Sequence, residues 1–235
     1  MKICVLNFSG NVGKTTVSAH LLQPRLGASV FSVESINMDA ESDGVEVSRV
    51  RGQHFAELQQ RLMKLDAAIV DVGSSNIEAF LKLMQQYADS QEDFDLFIVP
   101  VVKDAKQQAD TINTIRALRA IGVPASKIRV VLNKVDTDDD LRYDFAAVYA
   151  FCENNGEATL PDGAVIYAND IFPGLKALQM TIGDLNGDTT DYRQKLREAR
   201  DEDEQDAAIN MIAMKRLAKT CNKNLDAAYS ALFSR

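Results

Sequence analysis

Ser9-Gly10-Asn11-Val12-Gly13-Lys14-Thr15-Thr16 is the stretch of this chain best equipped for chemistry. The apolar, β-forming run Met1 to Asn7 precedes it and Val17 to Leu22 follows at helical spacing, so the order is strand, loop, helix. Successive backbone N–H groups of such a loop point into one concavity at a helix N-terminus, where unpaired donors and the helix dipole favour a phosphate. Gly10 and Gly13 let the backbone come close. Asn11, Val12 and Thr16 extend the row of N–H groups, Lys14 brings a point charge to β- and γ-phosphate oxygens, and the Thr15 hydroxyl can ligate Mg²⁺. The loop is expected to cradle the phosphates of a nucleotide. A full Gly-x-x-x-x-Gly-Lys-Thr motif would place glycine where this chain has Phe8, so its glycines are shifted toward the centre.

Asp71 ends the apolar run Ala67-Ala-Ile-Val-Asp71. A carboxylate there is costly unless it faces a cation or hydrogen-bond donors, and Mg²⁺ beside Thr15 would supply the cation. Lys14 and Asp71 are therefore the expected catalytic pair, with a helix N-cap as the structural alternative for Asp71. Gly73 can offer its N–H to a γ-phosphate and, with Glu34 at the end of the second strand, forms a candidate switch. Asn133 closes another apolar strand where the base should lie. Asn133-Lys134-Val135-Asp136 also matches the spacing of a guanine reader, which keeps GTP beside ATP.

These residues must be positioned by the rest of the chain. Ala28–Val33, Val45–Val50, Ala67–Ser75, Asp95–Val102, Ile128–Asn133 and Ala164–Ala168 read as strands. Helical spacing covers Gln53–Leu65, Ile77–Tyr87, Ala105–Ile121 and the stretch after Asp140, and Pro173–Met180 reads as a short helix; Pro24 to Gly27 is expected to break the first helix. Strands alternating with helices predict an α/β fold of three layers, a mostly parallel central sheet covered by helices on both faces. Right-handed crossovers and ligand binding at the carboxyl ends of the strands follow. Lys14, the Glu34 loop, Asp71, the Pro100 loop, Asn133 and Asn169 should then converge on one edge.

With 235 residues, 46% of them apolar, the chain can form a single domain over 1–235 with a full core. No apolar run approaches the roughly 20 residues needed to span a bilayer, so the cytoplasm is the expected location. Cys4, Cys152 and Cys221 are too few and too scattered for a disulfide frame or a structural zinc site. The net charge of −8 argues against a surface coated for DNA. Charge is nonetheless uneven. Residues 184–206, an acidic connecting segment, hold nine acids against four bases, whereas residues 207–235, an amphipathic C-terminal helix, hold five bases against one acid. That helix is either docked on the sheet or offered to a partner, to DNA or to a membrane surface; its lack of large anchors such as Trp speaks against membrane.

The loop Ser9 to Thr16, Asp71 and the strand ending in Asn133 resemble the deviant-Walker P-loop NTPases of the ParA and MinD group, which partition plasmids or position division machinery. Length and acidic balance look most like the StbB-type plasmid stability proteins. The resemblance implies ATP and Mg²⁺ as cofactors, slow ATP hydrolysis, a nucleotide-dependent homodimer and a plasmid DNA-binding protein as partner, with direct DNA contact through the basic C-terminal segment a further option. In that group the loop begins Lys-Gly-Gly, and its lysine reaches across the dimer; here those positions are Ser9, Gly10 and Asn11. The group's second-strand acid falls on Ile36. Both departures touch hydrolysis rather than binding, so an adaptor that binds nucleotide without hydrolysing it is the alternative.

Overall fold

The computed structural model describes residues 1–33, 47–49 and 55–234, with only the backbone described for 47–49. The readings placed on Glu34, Ile36 and their loop lie outside the described residues. Seven strands form the central sheet: β1 (Lys2–Val5), β2 (Ser29–Val33), β3 (Val47–Arg49), β4 (Ala68–Val72), β5 (Leu96–Val101), β6 (Ile128–Val135) and β7 (Val165–Tyr167). Their order is β3-β2-β4-β1-β5-β6-β7, and every neighbouring pair is parallel. β1 is central, and the chain leaves it toward β2 on one side before returning to β5 on the other. A sheet of this kind opens a crevice at its carboxyl edge beside such a reversal.

Alternating residues of each strand feed two cores. Cys4, Leu6, Val70, Val72, Phe97 and Val99 face one side, under α2 (Phe55–Met63), α3 (Ile77–Gln86), α4 (Ala105–Ala120) and α6 (Ala146–Asn155). Ile3, Val5, Ile69, Ile98 and Val131 face the other, under α1 (Thr16–Leu26), α7 (Ile171–Leu178), α8 (Ile182–Gly187) and α10 (Glu202–Phe233). Two short α-helices, α5 (Leu141–Asp144) and α9 (Tyr192–Glu198), also lie among the described residues. Burial on both faces is why the strands read as continuous apolar runs.

Two local differences from the sequence pattern have physical causes. α1 opens as a π-helix over Thr16–Leu22 and continues as α-helix over Gln23–Leu26, running through Pro24 and stopping at the left-handed Gly27. The change from π to α pattern falls at Gln23, next to Pro24, which has no N–H to give to either. The C-terminal helix starts at Glu202, so Glu202, Asp203 and Glu204 form its first turn, where they suit the helix dipole. Its buried stripe, Met214, Ala218, Cys221, Leu225, Ala228 and Leu232, docks it on the sheet. Arg25 of α1 donates to Asp226 and Asn222 of α10, and Asn224 bonds both the Val165 carbonyl and the Tyr167 N–H, covering the edge strand β7.

Candidate nucleotide site

The loop after β1 is held in shape by its own sequence and by α4. Asn7 is fully buried; its side-chain amide donates to the Pro100 carbonyl at 2.9 Å and to the Thr111 hydroxyl at 2.7 Å, and its Oδ1 accepts from Ser9 N–H at 2.8 Å. Thr114 Oγ1 accepts from Phe8 N–H at 3.0 Å, and the Ser9 hydroxyl donates to Asp110. Thr111 and Thr114 in turn donate to the carbonyls of Gln107 and Asp110 within α4. The inner face of α4 is therefore polar where it meets the loop, and these four α4 and β1-end residues, Asn7, Asp110, Thr111 and Thr114, are the ones sequence reasoning missed. Threonines three residues apart on a helix with a weak apolar stripe were the available signal.

Asn11 has φ +58° and Gly13 φ +82°. Asn11 thus adopts a left-handed backbone at the position where the group it resembles has glycine, and asparagine tolerates that region better than most other side chains. At Gly13 the constraint is also spatial: a Cβ would overlap Asn133 Nδ2 and lie 3.2 Å from its Cγ. Asn133, 2% exposed, donates to the Val12 carbonyl at 2.8 Å. It braces the loop as well as lining the cavity beside it.

Lys14 folds back over the loop, its Nζ 2.7 Å from the Ser9 carbonyl and 3.2 Å from the Asn7 carbonyl. Burial pulls its ammonium down to about 8 against a weaker opposing pull from Asp71. The Thr15 hydroxyl donates to Asp71 Oδ2 at 3.0 Å. This brings the two expected metal ligands, Thr15 and Asp71, to one point. They are hard oxygen donors and suit Mg²⁺, but among the described residues no group of three or more His, Cys, Asp or Glu could hold a metal by itself. A metal here would need phosphate oxygens and water to complete its shell, the usual arrangement for Mg²⁺. Asp71 meets Thr15, while the residue at the N-cap of the following 3₁₀ turn is Gly73.

Gly73 N–H donates to the Val33 carbonyl at 2.9 Å, and Asn76 Nδ2 donates to the same oxygen at 3.0 Å. Ser74 lies beside Gly10, its Oγ 3.7 Å from where a Cβ would sit. The Gly73 segment therefore borders the loop, with its N–H engaged by β2. Glu34, its expected companion, lies outside the described residues.

Beyond Thr16 a cavity of about 550 Å³ opens at the carboxyl edge. Its walls include His20, Asn133, Lys134, Asn169, Phe172 and Lys176. His20 and Phe172 approach ring to ring at 5.4 Å. A β-bulge shifts the β6–β7 register between Asn133 and Val135, with Lys134 at φ +55°. That bulge keeps Asn133 inward and Lys134 exposed. Asp136 is drawn into a pair with Lys103 at 2.9 Å, which Asp139 shares at the same distance.

A family model described as the CobQ/CobB/MinD/ParA nucleotide binding domain matches residues 3–151, more than half of the chain. A search of curated proteins finds no match. Among solved structures, the chain is similar to the MinC:MinD cell division protein complex of Aquifex aeolicus (TM-score 0.56, 10% identity, 93% of this chain and 95% of that one). It is also similar to the cell division ATPase MinD of Pyrococcus furiosus (TM-score 0.54, 16% identity, 92% and 98%). A third is a putative plasmid partition protein from Borrelia burgdorferi B31 bound to AMPPNP (TM-score 0.51, 12% identity, 91% and 97%). At these identities the structures show a shared fold, that of the P-loop NTPases. Because the loop, Asp71 and Asn133 all fall inside the matched span, the sequence and the geometry agree: the chain belongs to the CobQ/CobB/MinD/ParA nucleotide-binding domain family.

Proposed function

We propose that this chain is an ATP-operated switch with slow hydrolysis, acting in plasmid partition or stability with a DNA-binding partner. The observation that carries the reading is the convergence of Thr15, Asp71 and Lys14 on one loop: a hydroxyl and a carboxylate 3.0 Å apart beside a buried ammonium. Mg²⁺ held by Thr15 and Asp71 would neutralise charge on the β- and γ-phosphates. Lys14 would exchange two loop carbonyls for phosphate oxygens, and the loop N–H groups would face the same anion. Gly73 would trade its bond to Val33 for a γ-phosphate oxygen, moving the segment that borders Gly10 and so reporting which nucleotide is bound. The base would enter the cavity between Asn133 and Phe172. The ion pair that engages Asp136 supports adenine over guanine. A protein of the same fold, described as a putative plasmid partition protein and bound to AMPPNP, supports the partition role, and nucleotide-dependent dimerisation is the expected output.

The test is the Mg²⁺ dependence of ATPγS affinity, measured by calorimetry with and without EDTA. Wild type should bind at least tenfold more tightly with Mg²⁺, and Asp71→Asn should lose that increment while keeping its Mg²⁺-free affinity, about the 10- to 100-fold range seen when a metal's support is removed. Equal Mg²⁺ dependence in both proteins would reject the assignment of Asp71.

A non-hydrolysing adaptor is the second reading, and one observation favours it. Ser9, at the position of the group's cross-dimer lysine, is bonded within its own subunit to Asp110. Turnover above background that a DNA-bound partner stimulates would exclude it.

A further inference from the structure

α9 and the first half of α10 build a groove that the nucleotide site does not use. Tyr192 anchors α9, its ring lying 5.5 Å from the Lys215 ammonium of α10. On the other side Arg193, Leu196, Ile209, Ile212, Ala213 and Arg216 enclose about 370 Å³. Ile209, Ile212, Ala213 and Arg216 fall at i, i+3, i+4 and i+7, a second stripe on the side of α10 away from Met214, Ala218 and Cys221. Ile209 is 51% exposed, unusual for so large an apolar side chain in a stripe. The floor is apolar and short; Arg193 and Arg216 line it, and Glu202 and Asp206 lie beyond Ile209 on the same face of α10, toward its N-terminus. Arg193 lines the floor on α9 with Arg197 one turn further on, and Arg216 lines it on α10 with Lys219 and Lys223 following one another along the helix, all exposed. Among the described residues none of these five is in an ion pair. A cationic rim on a chain of net charge −8 is a local device rather than a general property.

We infer that this groove docks an acidic amphipathic helix of a protein partner. The apolar floor accepts the i, i+3, i+4, i+7 anchors of such a helix, and the arginines and lysines face its carboxylates. DNA would satisfy the cations but leave Leu196, Ile209 and Ile212 against phosphate and water. The inference stands independently of the nucleotide reading.

The probe is a labelled peptide of about 18 residues with leucines at i, i+3, i+4 and i+7 and glutamates between, compared with a twin carrying lysines. Anisotropy with the full chain should show binding of the glutamate peptide only, weakening with salt. Arg193→Glu combined with Arg216→Glu should lower the affinity at least about tenfold, since reversal replaces two attractions by two repulsions. Ile209→Asp should do the same, with unchanged thermal midpoints showing that the variants are folded. Equal binding of both peptides, or of neither, overturns the inference. So does a duplex DNA or an anionic vesicle that binds wild type in place of the peptide and is lost in the double variant. Self-association of wild type that Ile209→Asp abolishes would reassign the groove to a second copy and likewise overturn it.

Discussion

Gly13 and Asn133 are in direct steric register: any side chain at residue 13 would occupy the space of the Asn133 amide that bonds the Val12 carbonyl. The loop and the end of β6 are thus shaped against each other across the crevice. Gly13→Ala should cost about 1–2 kcal/mol from its left-handed backbone, plus the overlap. Asn133→Ala should cost about 1–3 kcal/mol by leaving a buried carbonyl unpaired. Because the second change removes the overlap, the double variant should be more stable than the sum predicts by at least ~0.5 kcal/mol in denaturant unfolding. Strict additivity would contradict the contact.

Asn11 carries the glycine-like conformation at the position where the related loops have glycine. Asn11→Gly should therefore be tolerated within ~0.5 kcal/mol, whereas Asn11→Val should lose about 1–2 kcal/mol and weaken ATPγS binding. Equal stability of the valine variant would show that this backbone relaxes.

The Lys14 ammonium is depressed to about 8 in the folded chain, below its ordinary 10.5, chiefly by burial. Below pH 8 both folded and unfolded chains hold this proton, and the folded state bears the full burden of a buried charge. Between pH 8 and 10.5 the unfolded chain binds more protons, so stability should rise with pH, by about 3 kcal/mol in all. Measured as the difference between wild type and Lys14→Met, which cancels the other lysines, this rise should appear in that window. Phosphates favour the charged lysine, so ATPγS affinity should fall as pH rises above 8, with proton uptake in calorimetry. A flat difference curve would contradict the burial of a neutral-capable lysine.

Thr111 is completely buried and its hydroxyl joins Asn7 to α4. Thr111→Val keeps the shape and deletes the partner of the Asn7 amide, so it should cost about 1–3 kcal/mol and reduce nucleotide affinity through the loop. Unchanged affinity would show that α4 supports the loop without setting its geometry.

The sequence made the strand, the loop, Asp71 and the covered parallel sheet legible because each is a local pattern: apolar runs, small residues, an acid at a strand end. What stayed hidden depends on pairing over distance. Asn7 and Thr111 are 104 residues apart, and nothing in either neighbourhood marks them as partners. Asn133 was legible as a crevice residue, but its bond to Val12 and its conflict with a side chain at Gly13 exist only once β6 lies beside the loop. Charge summed by segment also misled: Arg193 vanishes within the acidic stretch 184–206, yet α9 sets it at the same groove as Arg216 of α10.

Bound ATP and Mg²⁺ are expected to switch the state of this chain. Titration with ATPγS and Mg²⁺, following affinity and molecular mass in the same samples, tests it most directly. The account predicts saturable binding that converts monomer to dimer, with ADP failing to do so and Lys14→Ala failing to bind. Absence of binding by the folded wild type, or binding with the same mass in ATPγS and ADP, would contradict it.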